Sequence, residues 1–349
     1  MSALDGEDVA SRLAAWLAPR LSGEVTVELL GVADGGSSDT SFLTVRAAGA
    51  NAMQLVLRRE PRDYRVYPDP ELDKQVGVLR ALAACGGVPV PEVRWFEPDP
   101  DVIGTPFFLM SRLGGDAIPN LPSYSQEGWL ADATPAQRER LWRSSVAMLA
   151  RIHQVEPARF GFLARPVDGA NGLEQELRYW DRYLAIEVAQ PPHPLLPIAN
   201  RWLAENLPDA RPTRFSWGDA RLGNMLYRDF ECVCVLDFET ASLAGPEADL
   251  GWWLFFDEMY CTGMGLARLE GLGDRQATIA LWESLMGRPA QNMHFYDVLA
   301  AFRVALAIER TAMLRAQMGV AEPVGAGDDN PAIRQLARLL DMPIGGAAQ

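Results

Sequence analysis

Histidine is scarce in this chain. Three histidines in 349 residues leave too few imidazoles for a histidine-based metal centre. His153, which follows an apolar helix face, reads as a packed core residue. Four cysteines make no disulfide framework. Cys232 and Cys234 stand two apart on an expected strand and share one face. With no second Cys or His pair near them, they read as buried apolar residues in a reducing cytoplasm. No apolar run reaches the roughly 18 to 20 residues that a membrane span needs. The first residues, Met1 to Asp8, are acidic and lack the basic segment of a signal peptide. Positive charge is also short: 32 Lys and Arg stand against 46 Asp and Glu, a net charge of −14. Nucleic acid and anionic membranes are held by clustered Lys and Arg, so neither partner is expected. A cationic small molecule is compatible with this charge.

What is present is an ordinary globular balance, 48% hydrophobic and 22% charged, in a chain long enough for one large domain or two lobes. Its most informative stretch is Trp217-Gly218-Asp219-Ala220-Arg221-Leu222-Gly223-Asn224, followed by Asp237-Phe238-Glu239. An acid and an amide stand five residues apart, and a second acid follows thirteen residues after the amide. Phosphoryl transfer uses such a trio. One carboxylate orients or deprotonates a hydroxyl, while an amide oxygen and a second carboxylate hold Mg²⁺ on a nucleotide's phosphates. Between them, Met225 to Tyr227 and Cys232 to Leu236 read as two short strands around a polar turn. That hairpin returns Asp237 to the neighbourhood of Asn224. An isolated Asp and Asn near a Gly are more often turn formers. The ordered pair of motifs is what favours chemistry.

These residues resemble the catalytic loop of aminoglycoside phosphotransferases and choline-kinase-like proteins, usually His-Gly-Asp-x-x-x-x-Asn followed by Asp-x-Asp/Glu. The resemblance runs from about Leu29 to Leu254. It departs at Trp217, where the family usually has a His that braces the loop. It implies a bilobal, protein-kinase-like α+β fold, with a five-stranded antiparallel N-lobe over residues 1–113 and a mainly helical C-lobe over 114–349. It also implies Asp219 as catalytic base, Asn224 and Asp237 as Mg²⁺ ligands, and Glu239 as a further metal or acceptor contact. ATP or GTP would be the phosphate donor and a small-molecule hydroxyl the acceptor.

The nucleotide residues are expected in the first lobe. Strands at 25–30, 41–47 and 54–59 frame a turn with Gly35, Gly36, Ser37 and Ser38, whose N–H groups can face phosphate oxygens. The turn lacks the Gly-Lys-Ser/Thr of a P-loop. The third strand, where the family usually has Lys, reads Leu55-Val56-Leu57-Arg58-Arg59. Arg58 is the expected phosphate contact and Arg59 its competitor; an arginine fork suits phosphate. In the helix at 71–84, Gln75 takes the slot of the family's Glu, with Glu71 and Asp73 nearby. Met110 and Arg112, in the hinge strand after Pro106, are expected to offer backbone groups to the adenine.

The second lobe reads as helices at 135–155, 172–189, 198–206, 274–287 and 294–318, with a short one at 332–340. Asp249, in Gly245-Pro246-Glu247-Ala248-Asp249-Leu250, is read as a brace of the catalytic loop. Glu176, Tyr179, Trp180, Asp181 and Tyr183, with Asp257, Glu258 and Tyr260, read either as the wall of an acceptor site for an amine or a sugar or as core aromatics with solvated acids. The Asp-Phe-Gly and Ala-Pro-Glu elements of protein kinases are absent, which favours a small-molecule acceptor. The variant loop and the Arg in the cation strand resemble the kinase domains found beside acyl-CoA dehydrogenases. The alternative reading is a non-catalytic nucleotide-binding protein, suggested by Trp217, Arg58 and Gln75.

Overall fold

The computed structural model describes residues 3–32, 39–61, 65–67, 71–319 and 327–344. The chain divides into two compact units. The first holds residues 1–84 and 90–114, the second 85–89 and 115–349.

The first unit is a five-stranded antiparallel sheet with two helices. Its elements are α1 (Ala3–Leu21), β1 (Val25–Val32), β2 (Asp39–Ala47), β3 (Met53–Arg59), α2 (Leu72–Cys85), β4 (Val93–Glu97) and β5 (Phe107–Ser111), and the strand order is β1-β2-β3-β5-β4. Helical spacing puts Val9, Leu13 and Leu17 of α1 on one stripe. That stripe buries against Leu43, Val45, Leu55, Leu57, Phe107 and Leu109. Alternation along β3 therefore gives Leu55, Leu57 and Arg59 to the α1 face and Arg58 to the opposite face. Residues 33–38 lie outside the described residues, and with them Gly35, Gly36, Ser37 and Ser38.

The second unit is mainly helical, with a small three-stranded sheet. It contains β6 (Asp116–Ala117), α3 (Pro135–His153), α4 (Gly172–Ile186), α5 (Leu195–Glu205), β7 (Met225–Arg228), β8 (Glu231–Val235), α6 (Pro246–Met259), α7 (Arg275–Met286), α8 (Met293–Gln317) and α9 (Pro331–Leu339). α3 starts on a capping box, Thr134 with Gln137, and carries Pro at its first turn. β7 and β8 form the expected hairpin. Asp229 and Phe230 at its tip both have positive φ, 50° and 62°, the backbone of the tight turn that matches strand twist. The register sets Met225 opposite Val235. α6 packs closely on α8 because Gly251 has no side chain: a Cβ there would lie 2.7 Å from the Tyr296 carbonyl oxygen.

Candidate active site

The catalytic-loop motif is held between β8 and α6. Ser216 and Ser242 exchange backbone hydrogen bonds at 2.9 and 3.0 Å, so the chain before Gly218 lies along the chain after β8. Gly218 has φ +93°, and a Cβ there would sit 2.2 Å from the Thr240 carbonyl oxygen. Only glycine fits both the backbone and the space. The Leu236 N–H donates to the Asn224 carbonyl at 2.9 Å, which places Asp237 beside the Asn224 turn. Asp237 itself has φ +60°, a strained backbone for a residue with a side chain. Glu239 is partly exposed in the turn from Phe238 to Ala241.

Trp217 is fully buried. Its indole N–H donates to both the Leu236 and Asp237 carbonyls at 2.9 Å. A ring N–H thus ties the loop to the end of β8, so the indole serves as a brace where the related loop carries His.

Asp249, on the first turn of α6, is also fully buried, and all its acceptor capacity is used. Its Oδ1 takes the Ser216 hydroxyl at 2.7 Å and the Gly218 N–H at 2.8 Å. Its Oδ2 takes the Trp217 N–H at 2.6 Å and His153 Nε2 at 3.0 Å. Trp282 donates its indole N–H to His153 Nδ1 at 3.0 Å. An indole only donates, so Nδ1 accepts and the ring proton sits on Nε2, pointing at Asp249. His153 is a core residue, as its sequence suggests, and it supports the loop through Asp249.

Asp219 is treated differently. Its Oδ1 accepts from Arg221 Nε at 2.9 Å and from the Trp252 indole at 2.8 Å. Its Oδ2 accepts from Asn224 Nδ2 at 2.6 Å, and the same amide reaches the Asp219 carbonyl at 3.0 Å. A carboxylate offers about four lone pairs. Three side-chain donors occupy three of them, which leaves one on Oδ2. Both amide hydrogens of Asn224 are turned to Asp219, so Oδ1 is the Asn224 atom left to face a ligand. An amide oxygen beside an Asp carboxylate is an all-oxygen donor set that suits Mg²⁺, which takes few protein ligands and fills the rest with phosphate and water. Among the described residues, no cluster of three or more His, Cys, Asp or Glu offers a denser metal cage.

Arg221 also donates to Asn120 Oδ1, and its guanidinium lies 5.4 Å from the Phe256 ring centre. Burial is the largest single influence and works against this cation, but the Asp219 charge and hydrogen bond together with Tyr260 and Asp237 outweigh it and raise the guanidinium above its ordinary value. Arg221 lines a small cavity with Asn120, Tyr124, Phe256, Asp257 and Tyr260. The environment is mixed in charge. Asp257 pairs with Arg268 at 2.6 Å, and burial pushes the Tyr260 hydroxyl upward.

The expected acceptor wall on α4 is corrected. Trp180 and Tyr183 are each 1% exposed, and Glu176 is 3% exposed. Glu176 accepts the Trp180 indole N–H at 2.7 Å and faces the buried Arg303 at 3.5 Å. Asp181 accepts from Asn200 at 2.8 Å. The apolar face of α4 is needed for the core, so Trp180, Tyr183 and Glu176 are not offered to a ligand, while Tyr179 is half-buried with Arg165 over its ring at 4.9 Å.

The expected nucleotide-binding residues lie in the first unit. Arg58 and Arg59 are both buried, and Arg59 ion-pairs with Asp39 at 2.5 Å. Gln75 is buried on α2. Met110 sits in β5 opposite Val56 and Val93. The N–H groups of Ser111 and Arg112 donate to the Glu92 and Gln54 carbonyls, so the sheet already takes these two donors. The Arg112 side chain lies over the Phe42 ring at 4.6 Å. Sequence reasoning missed Trp252 and Arg303. Nothing local in the sequence gives Trp252 its reach to Asp219. An arginine inside the apolar run Val298 to Leu306 was a usable signal, since such a charge must find partners.

Residues 28–287 match the Phosphotransferase enzyme family. Among named proteins, the chain is 28% identical over 333 residues to mouse acyl-CoA dehydrogenase family member 10, covering 90% of this chain and 29% of that protein. It is 26% identical over 291 residues to the Arabidopsis thaliana protein named probable acyl-CoA dehydrogenase IBR3, covering 77% of this chain and 34% of that one. The chain therefore spans about a third of these relatives. Among solved structures, it resembles a candidate aminoglycoside phosphotransferase from Ralstonia eutropha, with TM-score 0.64, 22% identity, and 96% and 95% of the two chains covered. It also resembles a macrolide 2'-phosphotransferase from Brachybacterium faecium, with TM-score 0.52, 18% identity, and 95% and 98% covered. These structures share the two-part fold of a five-stranded sheet and a helical remainder. The chain belongs to the phosphotransferase enzyme family, in the branch whose relatives include acyl-CoA dehydrogenase family members.

Proposed function

We propose that this protein transfers the terminal phosphoryl group of ATP or GTP to a hydroxyl of a small molecule, assisted by Mg²⁺. The observation that carries this reading is the contrast between two acids. Asp249 has every lone pair committed to protein donors. Asp219 keeps one on Oδ2 while three donors fix its orientation. An acid needed only for structure has no use for a spare acceptor site; a base that must receive a hydroxyl proton does.

In this mechanism the acceptor hydroxyl donates to Asp219 Oδ2. Its oxygen attacks the terminal phosphorus, the bond to the bridging oxygen of the leaving diphosphate breaks, and the hydroxyl proton passes to Asp219. Asn224 Oδ1 and Asp237 would hold Mg²⁺, with Glu239 as a further contact. The ion would supply charge neutralisation on the phosphates. Arg58 would contact the phosphates as the family's Lys does, with Gln75 as its hydrogen-bonding neighbour, and Gly35 to Ser38 would contribute backbone N–H groups. Arg221 stands beside the base and disfavours an acceptor with an amine next to the reacting hydroxyl. Aminoglycosides are therefore weaker candidates than neutral or anionic alcohols. The non-catalytic alternative draws on Trp217, Arg58 and Gln75; the two hydrogen bonds of the Trp217 indole to the chain after β8 support a bracing role for the first of these and leave the other two to the transfer assay.

A screen of phosphate transfer from ATP and GTP across a library of alcohols, with and without Mg²⁺, tests the proposal. Mg²⁺-dependent transfer to at least one alcohol is expected. Nucleotide binding without transfer to any acceptor or to water would favour the non-catalytic reading.

A further inference from the structure

The Asp219 carboxylate is placed from two sides, and both lead to one buried cation. Arg303, on α8, is 1% exposed. Its Nη2 donates to the Gly218 carbonyl at 3.1 Å, the peptide immediately before Asp219. Its guanidinium also lies 4.4 Å from the Trp252 ring centre and 5.1 Å from that of Trp180. Trp252 in turn donates its indole N–H to Asp219 Oδ1 at 2.8 Å. Glu176 balances the charge at 3.5 Å from Arg303 Nε, a contact that does not satisfy that N–H, which has no hydrogen-bond partner among the described residues.

Taking an arginine out of water this completely is costly. A Met or Leu would fill the same space between α4, α6 and α8 without that cost. What an apolar residue would lose is the hold on Gly218 and the cation against Trp252. A cation over an indole face draws electron density from the ring, which makes its N–H a stronger donor to the carboxylate beyond it.

Building on the catalytic reading of Asp219, we propose that Trp252 is a positioning residue that fixes the Asp219 carboxylate for proton acceptance, and that buried Arg303 acts through Trp252 and Gly218 to set that position. Trp252 occupies one Oδ1 lone pair and opposes the pull of Arg221 on the same oxygen. With Asn224 on Oδ2, it leaves the remaining lone pair in one fixed direction. Neither Trp252 nor Arg303 touches the nucleotide in this account, so their loss should reach turnover and spare nucleotide binding.

The test uses Mg²⁺-ATP with water as acceptor and compares wild type with three variants. Trp252→Phe keeps the ring and removes the donor. Arg303→Met combined with Glu176→Gln removes both charges without leaving one unpaired. Arg303→Lys keeps a cation near Trp252. For Trp252→Phe, kcat should fall about tenfold to a hundredfold, the loss expected from a misplaced catalytic group. Its KM for ATP should stay within about twofold, with a melting temperature near that of wild type. The double variant should show the same split, and Arg303→Lys should retain more turnover than the double variant. A Trp252→Phe enzyme with kcat within about twofold of wild type overturns the proposal. So does a parallel loss of kcat, ATP affinity and melting temperature, because that pattern marks a merely structural residue. A wild-type protein that neither binds Mg²⁺-ATP nor releases phosphate removes the catalytic reading itself, and that result is distinct from an active wild type whose variants are unchanged.

Discussion

Side by side, Asp219 and Asp249 show how one residue type takes two roles. Asp249 accepts four hydrogen bonds, three of them from Ser216, Trp217 and Gly218. Removing it strands several buried donors, each costing about 1–3 kcal/mol. Asp249→Ala should therefore lower the stability by more than about 3 kcal/mol, read as the shift of a urea unfolding midpoint. A midpoint unchanged from wild type would show that the loop does not depend on this carboxylate. Asp237 makes a different prediction. Asp237→Asn replaces a charged metal ligand with a neutral one, so calorimetry should find weaker Mg²⁺-ATP binding. Equal affinity and an equal magnesium requirement would move the metal to other ligands. That Asp219, Asn224 and the segment carrying Asp237 come together was legible from the ordered pair of motifs and the hairpin between them; the roles given to them belong to the proposal. Trp252 was not legible, because its contact with Asp219 spans 33 residues of sequence and depends on how α6 packs.

At the scale of elements, the hairpin of β7 and β8 and the strand β3 make separate predictions. Cys232 and Cys234 are buried in β8, and burial pushes both thiols up to about 12. At pH 8 such a thiol is ionised to roughly one part in ten thousand, so iodoacetamide should leave both unmodified in the native protein. Cys85, at the end of α2 and partly exposed, should label first. Rapid native labelling of Cys232 or Cys234 would mean that the hairpin opens. On β3, Arg58→Ala should raise the KM for nucleotide, whereas Arg59→Ala should act through stability, since Arg59 shares the α1 face and pairs with Asp39. If the two variants exchange these effects, Arg59 is the phosphate contact. Strand and helix positions were readable because the apolar period was strong, as in Val9, Leu13 and Leu17. The two-residue β6 was not, because Asp116–Ala117 is defined only by its pairing with Leu226 and Tyr227. The α4 wall failed for a related reason: the same aromatic stripe fits a ligand site or a core, and burial decides between them.

For the whole molecule, membership of the phosphotransferase enzyme family and the five-stranded sheet with its helical remainder agree with what the sequence implied. The charge of −14 suggested a cationic acceptor, yet net charge is a property of the entire surface. The group next to Asp219 is the cation Arg221. No helix among the described residues is long and apolar enough to cross a membrane. In a thermal-shift panel on the ATP-loaded protein, neutral or anionic alcohols should stabilise more than aminoglycosides. The reverse order would mean that Arg221 moves away from the acceptor. The central claim is that Asp219 is the base of a phosphoryl transfer, and one comparison tests it most directly: Mg²⁺-dependent transfer from ATP by wild type and by Asp219→Ala, with nucleotide affinity measured on the same samples. The account predicts a loss of about 10²-fold or more in turnover with nucleotide affinity little changed. Turnover within a few-fold of wild type would contradict it.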